Sequence, residues 1–103
     1  MFGNLGTKIE KIYSVTAITY DKTLTITEDC TIFVNHYGVW NQGYHKIDRN
    51  GSNVFSDTGS GSKRNFMNCK AGDKIRVYGA DTLQNMYTQK CEVFKMPTFN
   101  LSW

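Results

Sequence analysis

The chain has 103 residues, a net charge of +3, a hydrophobic fraction of 40% and a single proline. This bounds it to one globular domain, residues 1–103, too short for a second core and too apolar for disorder. Its basic residues are scattered, with only Lys63 and Arg64 adjacent, so the dense basic stripe expected of a nucleic-acid-binding surface is missing.

No apolar run approaches the ~20 residues of a membrane span, and the opening Met-Phe-Gly-Asn-Leu-Gly is not a signal peptide. The chain is therefore expected to be made in a cytoplasm and not to insert into a membrane. Cys30, Cys69 and Cys91 are odd in number and contain no CxxC pair, unlike a secreted disulfide framework or a zinc site. Each sits in a strand-like run, which predicts buried, reduced thiols.

Residues 1–8 read as a loose lead-in. Between 9 and 20 the accumulation of Tyr13, Val15, Thr16, Ile18, Thr19 and Tyr20 predicts one extended strand, ended by a turn at Asp21-Lys22. Thr23 to Thr27 then alternate with Leu24 and Ile26 inward. Glu28-Asp29 breaks the run, and Cys30, Ile32 and Val34 resume the inward face. That register puts Phe33 outside, as a lone exposed aromatic, in a subunit contact or beneath a second sheet.

Residues 36–45, rich in aromatics and interrupted by Gly38 and Gly43, read as a long hairpin loop or irregular crossover. Asn50-Gly51 is the strongest hairpin signal, with Val54-Phe55-Ser56 on the return strand. Residues 57–62 have the Gly/Ser composition of a mobile surface loop.

The stretch 65–79 reads as a hairpin of an antiparallel sheet: strand, tight turn and strand. Ala71-Gly72-Asp73 forms the turn, Ile75 and Val77 face in, and Lys74, Arg76 and Tyr78 face out. A loop is expected over 79–86, then a last strand over 87–94 with Cys91 and Val93 on one face. Pro97 marks an edge or strand end within an apolar tail, 96–103. The sum is roughly seven or eight short strands with turn signals about every 8–12 residues, an antiparallel all-β sandwich of jelly-roll type.

In order, the chain carries Thr25-Ile26-Thr27-Glu28-Asp29-Cys30-Thr31-Ile32-Phe33-Val34, the aromatic-glycine segment, and Ile47-Asp48-Arg49-Asn50-Gly51-Ser52-Asn53-Val54. A Gly/Ser loop follows, then Phe66-Met67-Asn68-Cys69-Lys70-Ala71-Gly72-Asp73-Lys74-Ile75-Arg76-Val77. This series, over about residues 20–79, resembles the small β-sandwich head domains of bacteriophage tail fibres and receptor-binding proteins. Trimers of the tumour-necrosis-factor and complement-C1q type share its grammar. The three cysteines and the 36–45 segment depart from the pattern.

The resemblance implies a non-enzymatic homotrimer in a virion, in contact with other virion proteins and attaching to a glycan or protein receptor on the host surface. Virion decoration without receptor binding, or inhibition of a host protein, are the alternatives. No cofactor, metal site or catalytic set is expected. His36 and His45 lack close Cys, Asp or Glu partners, the acidic residues fall mostly at turns, and Gly59-Ser60-Gly61-Ser62-Lys63 lacks the spacing of a phosphate loop.

His36, Tyr37, Trp40, Asn41, Gln42, Tyr44 and His45 have the composition of a glycan site, aromatic platforms beside hydrogen-bonding side chains. Alternatively, Tyr37, Trp40 and Tyr44 cap one end of the sandwich or fill a subunit interface. Phe33, Tyr78, Phe99 and Trp103 are the interface candidates.

Overall fold

The computed structural model describes residues 9–38, 43–81 and 87–97. Eight strands follow in chain order: β1 (Glu10–Ala17), β2 (Thr19–Thr25), β3 (Cys30–Gly38), β4 (Tyr44–Arg49), β5 (Ser52–Thr58), β6 (Gly61–Cys69), β7 (Lys74–Ala80) and β8 (Gln89–Lys95). They form two four-stranded sheets, ordered β1-β8-β3-β6 and β2-β7-β4-β5. All pairings are antiparallel.

The pairing is a nested hairpin that has been rolled up. β4 pairs with β5, β3 with β6, β2 with β7 and β1 with β8. Successive layers of this hairpin fall in alternate sheets, and the β3–β8 and β4–β7 pairings complete each sheet. This is the jelly-roll arrangement of an antiparallel β-sandwich, as the turn spacing predicts.

At the tip, Asn50 and Gly51 both have positive φ, 50° and 85°, the type I′ geometry that matches the twist of two paired strands. The core lies between the sheets. Ile32, Val34, Cys91 and Val93 face Tyr20, Ile47, Ile75 and Val77, with Ile26 just beyond β2. The inward positions assigned to Ile26, Ile32, Val34, Ile75, Val77, Cys91 and Val93 hold.

Four local expectations are corrected. Residues 9–20 do not form one strand. The chain bends at Ile18 and changes sheet, and Asp21-Lys22 lies within β2, where Asp21 opposes Tyr78. The stretch 65–79 is not a hairpin, because β6 pairs with β3 and β7 with β2 and β4. Its turn is an arch between sheets, fixed by Gly72 at φ 94° and by Asp73, whose Oδ2 accepts from Lys70 N at 2.9 Å.

The Gly/Ser stretch 57–62 shrinks to a two-residue corner at Gly59-Ser60, with Gly59 and Gly61 at positive φ. Within 36–45, His36 to Gly38 belong to β3 and Tyr44-His45 to β4. At Asp21-Lys22, in 36–45 and in 57–62, a local turn or loop signal is absorbed by pairing with a strand distant in sequence. The lead-in 1–8, most of the expected 79–86 loop, and the tail beyond Pro97 lie outside the described residues.

Candidate functional site

The solvent side of the β1-β8-β3-β6 sheet is built by alternation. Because Ile32, Val34 and His36 point inward, Thr31, Phe33, Asn35 and Tyr37 point outward. Register aligns Phe94 of β8, Phe33 of β3 and Phe66 of β6 in one row. Phe33 stacks on Phe66 at 4.7 Å between ring centroids and on Phe94 at 6.0 Å. Phe66, on the edge strand, is 66% exposed. Lys11 of β1 lies 5.7 Å over the Phe94 ring and 3.1 Å from Glu92.

The adjacent row is Glu92, Asn35 and Arg64, with opposite charges on either side of a neutral amide. Asn35 Oδ1 is buried and accepts no hydrogen bond among the described residues. Tyr37, 43% exposed, lies further along the same face.

The opposite face is polar and internally matched. Arg76 donates to both oxygens of Asp21, at 2.9 and 2.6 Å, and lies 4.0 Å over the Tyr78 ring. The Tyr78 hydroxyl donates to Asp48 at 3.1 Å. The hydrogen bond from Arg76 holds the Asp21 carboxyl below its ordinary range and raises the Arg76 guanidinium. Phe33 and Tyr78, both predicted interface residues, are thus on opposite sides of the sandwich. Phe99 and Trp103 lie outside the described residues.

The predicted glycan set is also divided. His36 and His45 are fully buried between the sheets, Tyr37 is on the aromatic face, and Tyr44 is on the polar face, where Lys46 lies 5.4 Å over its ring. Trp40, Asn41 and Gln42 lie outside the described residues.

The histidines belong to a polar network in the interior. Tyr20 Oη lies 2.6 Å from His36 Nδ1 and 3.2 Å from His45 Nδ1. A hydroxyl has one proton to give, so at least one of the two imidazoles must present its Nδ1–H to the Tyr20 oxygen. Burial lowers His36 to about 3 and His45 to about 4, so both are neutral near pH 7. Burial also raises Tyr20 and pushes Cys91 up to about 12.

Gly79 makes room for this layer: a Cβ there would lie 2.5 Å from the Tyr44 carbonyl oxygen and 2.8 Å from Tyr20 Cε1. Among the described residues, no group of three or more His, Cys, Asp or Glu side chains is placed to hold a metal ion.

Two concavities flank the sandwich. A groove of about 360 Å³ runs between edge strands β5 and β6, lined by Val54, Phe55, Asn65, Phe66 and Met67. A smaller cleft of about 190 Å³ opens at the far corner beside Ile12, Leu24, Glu28, Cys30 and Lys95.

Sequence reasoning found Phe33 but missed its partners. Phe66 and Phe94 are out of phase with their inward neighbours Met67 and Val93, a signal that is legible once the strand registers are known. No family model matches the chain, and no curated protein matches it.

Proposed function

We propose that this chain is a non-enzymatic, phage-type virion domain that self-associates through the outer face of its β1-β8-β3-β6 sheet and serves in attachment to the host surface. The observation that carries the reading is the aromatic row Phe94–Phe33–Phe66. The exposed face of an antiparallel sheet is normally polar, and a run of aromatic rings across three strands is the kind of surface that gains most from being covered.

A second copy suits this face. Arg64 and Glu92 flank Asn35, so around a three-fold axis the Arg64 side of one copy can meet the Glu92 side of the next, while rings bury rings. The jelly-roll architecture supports the reading only by analogy, since viral capsid proteins and lectins share it with proteins of other functions. A virion structural role without receptor binding is the second reading. It is favoured by the separation of Tyr37 from Tyr44 and by the burial of His36 and His45, which leave no single glycan platform among the described residues.

Light scattering of the purified chain at micromolar concentration tests the association. A trimer mass is expected, with Phe66→Ser shifting the population to monomer, while a clean monomer for the unaltered chain removes the proposal. Adsorption then separates the two readings. Soluble chain that blocks particle attachment to host cells supports a receptor-binding role, and chain that is virion-associated yet never competes supports the structural one.

A further inference from the structure

We infer that Cys30 and Cys69 form a cross-strand disulfide when the folded protein meets a hydroperoxide, Cys30 being oxidised first and Cys69 resolving it. The two residues are direct partners in the β3–β6 register, and both point inward, Cys30 in phase with Ile32 and Cys69 buried behind Met67. Thr31 directs its carbonyl to the β8 side, accepting from Met96 N at 2.9 Å, so the backbone groups of Cys30 face β6. Opposed residues that exchange backbone hydrogen bonds have Cα atoms about 5.5 Å apart, at the centre of the range that disulfides span.

Both strand ends are held in place. Lys95 pairs with Glu28 next to Cys30. Arg49 Nη2 donates to Asn68 O at 2.5 Å and to Cys69 Sγ at 3.7 Å. Asp29 Oδ1 accepts from Ala71 N at 2.9 Å, tying the two turns together.

The order of events follows from access. Cys30 is partly exposed and lines the corner cleft beside Lys95 and Glu28, whereas Cys69 is 4% exposed. The Cys30 thiolate attacks the peroxide O–O bond, giving a sulfenic acid and releasing water or an alcohol. The Cys69 thiolate then attacks that sulfur and displaces hydroxide, which leaves as water on taking up a proton. Two thiols lose two electrons, the peroxide gains them, and the balance closes.

Burial raises both thiols above their ordinary value, with Lys95 and Arg49 opposing it, so the reaction quickens as pH rises. Cys91 is fully buried and opposes His36, roughly 20 Å along β3 from Cys30, so it stays a thiol. The bond would tie the start of β3 to the end of β6, closing a covalent ring around the inner half of the rolled hairpin.

Limited hydrogen peroxide treatment of the folded full chain, followed by non-reducing peptide mapping, tests this. A Cys30–Cys69 crosslink is expected in the unaltered protein and in Cys91→Ser, with the thermal midpoint rising by roughly 5 °C or more. Cys69→Ser should leave a Cys30 sulfenic acid that dimedone captures. A crosslink to Cys91, a crosslink only between molecules, or three thiols still alkylated after treatment of the unaltered protein would each overturn the assignment.

Discussion

Tyr20 is the residue on which the interior polar layer depends. Its hydroxyl joins His36 of one sheet to His45 of the other, and the absence of a side chain at Gly79 lets its ring lie there. Because both histidines are held neutral, at about 3 and about 4 against 6.5 in a free chain, folding stability is coupled to pH with a definite sign. Above pH 6.5 neither state binds protons at these sites and the stability is fully present. Between 6.5 and about 4 the unfolded chain takes up protons that the folded one refuses, so stability falls with acidification by about 1.4 kcal/mol per pH unit for each histidine.

The lowered carboxylates Asp21 and Asp73 act mainly below their unfolded value of 3.8, leaving the histidine window clear of them. Urea midpoints measured from about pH 7.5 to about pH 4.5 should fall steadily, and His36→Gln should reduce the slope by about half. Midpoints that stay flat over that range would show that the buried layer does not titrate as argued.

At the scale of elements, glycines divide into those that free the backbone and those that make space. Gly51 has a φ of 85° and nothing within 4 Å of the place a Cβ would occupy, so Gly51→Ala costs only the left-handed strain, about 1–2 kcal/mol. At Gly79 the obstacle is the Tyr44 carbonyl oxygen at 2.5 Å, a backbone atom within the β4–β7 ladder. Gly79→Ala should therefore destabilise by roughly 3 kcal/mol or more. Chemical denaturation of the two variants checks the order, and a Gly51 variant less stable than the Gly79 variant would contradict this division.

The same scale explains the mistaken hairpin at 65–79. Turn chemistry at Gly72 and Asp73 specifies a reversal of direction, but not whether the two strands then pair or part into separate sheets. That depends on where β3 and β2 lie, and both are encoded well before the turn, on the far side of β4 and β5.

For the molecule as a whole, the rolled hairpin makes the outermost pairing, β1 with β8, join the two ends of the described chain. Such contacts are closed only after a long loop is ordered, so refolding from urea should take milliseconds to seconds, as for other sandwiches rich in non-local pairing. Stopped-flow fluorescence checks this, and refolding complete within tens of microseconds would count against the topology as the rate-setting feature.

Much of the architecture is legible in the chain by itself. Period-2 alternation fixes which residues of β3, β7 and β8 face inward, because a strand has only two faces and one of them must be apolar. Asn50-Gly51 fixes the tip, because those residues tolerate the positive φ that the turn needs. Only the tertiary structure decides which strands become neighbours, and so which side chains share a surface. Phe33, Phe66 and Phe94 form a row, Cys30 meets Cys69, and His36, Tyr37, Tyr44 and His45 are divided among an interior and two faces. Alternation assigns a side chain to a face of its own strand, and register between distant strands turns those faces into sites.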